Sequence, residues 1–148
     1  MTSTFFLDTN VLIYSRDPGA KQKQERAKFW LNALIETKPP VINLQVINEF
    51  CHVALRKLPH LDVETVRADA EGLRIWGDTP IDYETLTDAW QIREAAGYQW
   101  FDCVLLAAAQ NLGCSHFLSE DMRHGHVVND ITIVNPFIAL PSDFMLRD

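Results

Sequence analysis

At 148 residues, with 47% hydrophobic and 22% charged residues, the chain suits one sizeable core, without the bias of a disordered tail or the period of a repeat protein. A formal charge of −7 argues against a passive nucleic-acid coat, whose affinity comes from basic patches, but leaves room for an enzyme whose acids hold cations. No apolar run reaches the length of a membrane helix; the best candidate, after Asp102, is broken by Gln110, Asn111 and Ser115.

The opening residues lack a basic segment followed by an apolar core, so no secretory signal is expected. Cys51, Cys103 and Cys114 are odd in number and widely spaced, each in or beside an apolar helical pattern. That usage predicts buried free thiols and a reducing, cytoplasmic setting.

The run Phe5-Phe6-Leu7 reads as a buried strand that stops at Asp8. Thr9 and Asn10 are capping residues, so a short helix is expected from Thr9 to Ser15. Ligands of open parallel sheets bind outside the carboxyl ends of the strands, which is where Asp8 would stand. Asp8 can equally be read as the cap of that helix. Asp17-Pro18-Gly19 is a turn, and Lys21 to Glu36 an amphipathic helix with Ala27, Trp30, Leu31, Leu34 and Ile35 at helical spacing. Its other side carries Lys21, Lys23, Arg26 and Lys28, either a solvated face or a guide for RNA. Pro39-Pro40 ends the helix, and Val41-Ile42 is expected to be a short strand.

Leu44 to Lys57 is the next predicted helix, with Val46, Ile47, Phe50, Val53, Ala54 and Leu58 as its buried stripe. Glu49 lies roughly 40° from Val53, at the edge of that stripe, as a buried-site acid or a snorkelling surface Glu. Asp62 caps a helix to about Trp76, with Val63, Val66, Ala70, Leu73 and Ile75 as core candidates. Thr79 to Asp82 is a weak strand candidate, and Tyr83 to Ala96 a helix stopped by Gly97.

In the predicted helix from Trp100 to Leu112, Leu105, Leu106 and Ala109 follow Asp102 by three, four and seven residues. That spacing puts Asp102 on the core face at the first turn; an N-cap would explain an acid at this end, though less well its sharing the buried face. His116-Phe117-Leu118 reads as a strand followed by Ser119-Glu120-Asp121, and Thr132-Ile133-Val134 as a last strand, placed at the sheet edge because Pro136 follows. The alternation of strands and helices predicts an α/β fold: a three-layer α/β/α sandwich with a largely parallel central sheet, one domain over residues 1–148.

Asp8 and Asp121 then fall at strand ends, and Glu49 and Asp102 on helices; all four can converge on one sheet edge. Carboxylates packed together raise one another's pKa and need protons or metal to neutralise them. Oxygen ligands without Cys or His suit Mg²⁺ or Mn²⁺, one ion or two. Such ions can activate water against a phosphodiester.

Leu7-Asp8-Thr9-Asn10-Val11-Leu12, Glu49 within Gln45 to Phe50, Trp100-Phe101-Asp102-Cys103 and Leu118-Ser119-Glu120-Asp121-Met122 resemble the four blocks of the PIN-domain ribonucleases. The resemblance is closest to VapC-type toxins of bacterial toxin–antitoxin pairs and runs from about Phe5 to Val134. It implies a Mg²⁺- or Mn²⁺-dependent endoribonuclease with Asp8, Glu49, Asp102 and Asp121 as the acidic quartet. By that likeness Asp8 and Asp102 are direct metal ligands, and Glu49 and Asp121 complete the site or orient its water. Asn10 and Ser119 match supporting positions, and Glu120 competes with Asp121 for the fourth place. Asn43 stands where many relatives carry Ser or Thr. The resemblance further implies a homodimer and a cognate antitoxin whose C-terminal segment covers the site.

Two other readings compete. A domain that binds without cutting would normally lose one or more acids, and all four are present. A haloacid-dehalogenase-like phosphatase also opens on a strand ending in Asp, but uses a second Asp where Asn10 stands, and no catalytic lysine block follows. A zinc site from Cys114, His116, His124 and His126 has no standard spacing, and solvated loop histidines fit that stretch better.

Overall fold

The computed structural model describes residues 3–144. Phe5–Leu7 form strand β1, every residue of it buried, as a strand covered on both faces must be. The helices are α1 (Thr9–Tyr14), α2 (Lys21–Thr37), α3 (Leu44–Lys57), α4 (Val63–Leu73), α5 (Tyr83–Ala96) and α6 (Trp100–Asn111). Strands β2 (His116–Leu118), β3 (Val127–Val128) and β4 (Ile131–Val134) complete the sheet, in the order β1-β2-β4-β3. β1, β2 and β4 are parallel and β3 is antiparallel to β4. Helices flank this mostly parallel sheet, giving the three-layer α/β/α sandwich.

Local chemistry explains most boundaries. Asp8 caps α1, its carboxylate accepting from Thr9 N at 2.7 Å. Asn43 caps α3 through Val46 N, Asp62 caps α4 through Thr65 N, and Asp82 caps α5 through Thr85 N. Gly97, at φ 75°, closes α5 in the left-handed conformation that spares glycine a Cβ clash. Trp30, Phe5, Phe6, Phe50 and Phe117 are the largest side chains of the core. The buried Trp30 indole N–H is shared between the carbonyls of Pro136 (3.0 Å) and Ala139 (3.1 Å), which straps the segment after β4 onto α2.

The structure corrects several expectations. Thr132–Val134 is no edge: β4 lies between β2 and β3, and Pro136 falls beyond the strand. The edge is β3, joined to β4 by Asn129 and Asp130, both at positive φ (48° and 68°), the backbone of a two-residue hairpin of the primed type. The expected strand Val41–Ile42 shrinks to a single parallel bridge, Phe6 to Val41, squeezed between Pro40 and the cap at Asn43. Thr79 to Asp82 forms no strand; it runs beside the start of α3, where Leu44 N donates to Thr79 O. Gly77, at φ 130°, makes that passage possible, because a Cβ there would stand 2.2 Å from Ile42 O.

Ile75 and Val63 are 85% and 67% exposed rather than core, and Ile35 is half exposed. The helix tightens to a 3-10 turn over Arg74–Trp76, which rotates Ile75 outward. Cys103 and Cys114 are buried free thiols; Cys51 is free but only partly buried. No helix of the described residues is long and apolar enough to cross a membrane.

Candidate active site

The register of the sheet levels three strand ends. Leu7, Leu118 and Val134 are partners across β1, β2 and β4. The next residues stay tied: Asp8 N donates to Leu118 O (3.0 Å) and Ser119 N to Val134 O (2.9 Å). Asp8 and Ser119 are thereby fixed side by side at the carboxyl edge, where an α/β sheet presents its chemistry. Asp8 is 4% exposed and Ser119 fully buried.

Three polar groups bind the acids to one another. The Ser119 hydroxyl donates to Asp8 Oδ2 at 2.6 Å and accepts from Asp121 N at 3.1 Å. The Asn10 amide bridges Asp8 Oδ2 (3.4 Å) and Asp121 Oδ2 (3.0 Å). Thr9 Oγ1 donates to Glu49 Oε2 at 3.0 Å, and Gln45 Nε2 to Glu49 Oε1 at 3.2 Å. Asp8, Asn10, Ser119 and Asp121 are thus brought together directly, and Glu49 is joined to them through Thr9, the neighbour of Asp8. The sequence marked Thr9 only as a capping residue and Gln45 only as part of the Glu49 block, not as partners of Glu49; Gln45 stands four residues before Glu49 on one helix face, a spacing that foretells contact.

Asp102 behaves differently. The residue in the cap position of α6 is Gln99, so Asp102, inside the first turn, does not cap. It is partly buried and accepts no hydrogen bond among the described residues. Burial, then Asp121, then Glu49 push its pKa up to about 6. Burial raises Asp8 to about 7, with Asp102 and Asp121 adding to it while Ser119 and the Thr9 amide pull it down. All four acids therefore share one electrostatic field.

This set fits a hard divalent cation. Its ligand atoms are oxygens and, among the described residues, Asp102 accepts no hydrogen bond and the buried Asn10 Oδ1 has no partner. Among the described residues, no three acid, His or Cys side chains are placed closely enough to hold a metal ion as they stand.

Glu120 faces away from this field. Its Oε1 accepts from the Tyr14 hydroxyl and its Oε2 from Lys23 Nζ at 2.8 Å. Lys23 Nζ also lies 4.8 Å from the Tyr14 ring centroid and 5.0 Å from that of Phe137. Lys23 is thereby held to the loop that carries Asp121, whereas Lys21 is exposed at the start of α2. The histidines and cysteine weighed for zinc do not meet: His124 Nδ1 accepts from Asn135 N, His126 bonds Tyr98, and His116 stacks on Phe5.

The PIN domain family matches residues 5–129. The chain belongs to the PIN domain family. Solved structures similar to this PIN domain include a toxin–antitoxin complex from Klebsiella pneumoniae, 19% identical with TM-score 0.62, covering 91% of this chain and 98% of that one. FitAcB from Neisseria gonorrhoeae is 18% identical with TM-score 0.62, covering 90% and 98%. Mycobacterium tuberculosis VapC20, a sarcin–ricin loop cleaving toxin, is 20% identical with TM-score 0.56, covering 78% and 87%. At these identities the likeness is one of fold. The curated proteins gave no match.

Proposed function

We propose that this PIN domain is a Mg²⁺- or Mn²⁺-dependent endoribonuclease, the VapC-type toxin of a toxin–antitoxin pair. The observation that carries the reading is Asp102: a partly buried carboxylate that, among the described residues, accepts no hydrogen bond and shares the field of three further acids. Such an arrangement is unfavourable unless a cation completes it. The similar toxin structures support the choice of RNA and of a protein inhibitor as partner. A homodimer and a cytoplasmic setting belong to the same reading.

Asp8 and Asp102 would hold the cation directly, with Glu49 and Asp121 completing the site or orienting a water. When bound, the cation supplies positive charge against the phosphodiester and makes a neighbouring water a better nucleophile. The chain's own groups set the geometry. Ser119 and Asn10 fix the Asp8 and Asp121 carboxylates, so neither has to be ordered when substrate arrives. Thr9 and Gln45 hold both oxygens of Glu49 toward the same edge. Burial of Asp8 excludes bulk water from one side of the site and strengthens its field there.

Glu120 is a positioning residue in this scheme, since Tyr14 and Lys23 pin it and so set the backbone at Asp121. Glu120→Gln and Lys23→Met are each expected to lower cleavage about tenfold, the scale of a small misplacement, whereas Asp121→Asn stops it. Steady-state rates for the three variants check this; a Glu120 variant as dead as Asp121→Asn would make Glu120 a member of the metal site.

The reading is tested by incubating the purified protein with total RNA and with DNA of matched length, in Mg²⁺, Mn²⁺ or EDTA. Discrete RNA fragments that disappear with EDTA are expected. Intact RNA in both metals, from folded protein free of bound inhibitor, would overturn it.

A further inference from the structure

A cluster of acids repels a polyanion, so cations must meet the strand where it leaves the site. Several candidates are already engaged: Arg16 pairs with Asp69, Lys23 with Glu120, and Arg74 with Glu71 and Asp78. Arg123 is exposed, two residues beyond Asp121, and no carboxylate pairs with it among the described residues. It is nonetheless placed. Its Nη2 lies 3.2 Å from His126 Nδ1 and 3.4 Å from Nε2. The His126 Nδ1 in turn lies 2.5 Å from the Tyr98 hydroxyl, which also accepts from Arg123 N at 3.4 Å.

Tyr98 belongs to the turn that precedes α6 and Asp102. Its carbonyl accepts from Arg93 Nη1, which also donates to Gly97 O at 3.1 Å. One tyrosine therefore ties the loop after Asp121 to the turn before Asp102, with a guanidinium on either side. In the first turn of α6, just after it, Phe101, directly before Asp102, is 64% exposed. Beside it Trp100 packs on Trp90 of α5, with ring centroids 4.3 Å apart. Arg123 and Phe101 thus stand on two segments that Tyr98 ties together, two residues after Asp121 and one before Asp102. A cation with a planar fork and an exposed ring are the two groups that hold single strands: the fork takes a phosphate and the ring a base face. A duplex offers the phosphate but keeps its base faces stacked inside.

We propose that Arg123, held by His126 and Tyr98, binds a phosphate of an unpaired RNA segment beside the acid cluster, while Phe101 stacks a base of the same segment. The proposal rests on the ribonuclease reading for the identity of the strand, and goes beyond it in naming the two residues of the clamp.

The test is fluorescence anisotropy of a labelled single-stranded RNA, and of its duplex, titrated with Asp8→Asn protein in Mg²⁺ across a salt series. Added Arg123→Gln is expected to weaken single-strand binding about fivefold and to lower the salt slope by about 0.7, the value for one lost contact. Added Phe101→Ala is expected to weaken single-strand binding at least about fivefold with the slope unchanged, and to leave duplex binding alone. Lys57→Gln, an exposed change at the far end of α3, serves as the control and should move neither. Unchanged affinity and slope in the Arg123 variant would overturn the clamp. So would a Phe101 effect that sedimentation traces to a broken dimer, since a second copy would then cover that ring. Because the background does not cut, the outcomes separate. Binding through Arg123 by a wild-type protein that cuts no RNA would sink the ribonuclease reading and leave the clamp standing. Cleavage by wild type that Arg123→Gln does not slow would sink the clamp alone.

Discussion

Asp8→Asn is expected to reduce RNA cleavage by roughly a thousandfold or more while making the metal-free protein more stable. Both effects come from one carboxylate. Asp8 is the most buried acid of the site, and its pKa is pushed up to about 7 by burial and by the Asp102 and Asp121 charges. At neutral pH its ionised form is therefore held against its surroundings unless a cation answers it. Asparagine keeps the shape and the Oδ1 that receives the Thr9 amide, so α1 stays capped. It loses the charge that a metal needs. Its amide must also face the Ser119 hydroxyl, which now donates to Oδ2, and that mismatch costs about 1 kcal/mol. Relief of the buried charge outweighs this, for a net gain of about 3 kcal/mol above pH 7. Cleavage rates and denaturant melts of both proteins in EDTA check the two halves. A variant that is inactive and also less stable would mean that Asp8 serves chiefly as a hydrogen-bonding member of the fold.

The second large effect is the pH dependence of the metal-free wild type. Asp8 and Asp102 have folded values of about 7 and about 6, against the ordinary 3.8. Each therefore binds its proton more tightly in the folded state. Below about pH 4 both states are protonated and the stabilisation is complete. Between about pH 4 and 7 the folded protein holds more protons than the unfolded chain, so stability falls as pH rises. It is lost once the pH has passed the folded value. For Asp8 the full swing is on the order of 4 kcal/mol, with Asp102 adding in the same direction. Denaturant midpoints in EDTA should drop across this window, and Asp8→Asn should flatten the drop. Saturating Mg²⁺ or Mn²⁺ should reverse it, because a cation prefers the ionised acids and stabilises only the folded chain. A midpoint that climbs steadily from pH 4 to 7 without metal would mean that the acids are paired rather than opposed.

Much of this could be read from the residues, for identifiable reasons. Phe5–Leu7 is apolar throughout because β1 is covered on both faces, so its end at Asp8 was plain. The periodicity of α3 and α6 located Glu49 and Asp102 relative to the core, and the structure finds both at its margin. Whether Asp8 was a cap or a site acid could not be separated by sequence, and the structure shows that capping takes up only one of its oxygens: Oδ1 caps while Oδ2 meets Ser119 and Asn10. Strand β3 escaped notice because two residues carry too little alternation to register. Its signal lay in the hairpin pair Asn129-Asp130, which tolerates positive φ. Pro136 misled for a related reason, since a proline after a strand says nothing of the strand's neighbours. Pairings between distant residues were out of reach. Nothing local in Lys23 announces Glu120, 97 residues away, or in Tyr98 the ring of His126.

On the proposed function, these acids form a cation site kept partly protonated by mutual repulsion and burial. Calorimetric titration of Mn²⁺ into the metal-free protein at pH 6, repeated in two buffers of different ionisation enthalpy, tests it most directly. Binding is expected to release protons, because Asp8 and Asp102 must give up theirs, and to be abolished in Asp8→Asn. Failure of Mn²⁺ and Mg²⁺ to bind, or binding that survives in Asp8→Asn with no proton released by either protein, would contradict it.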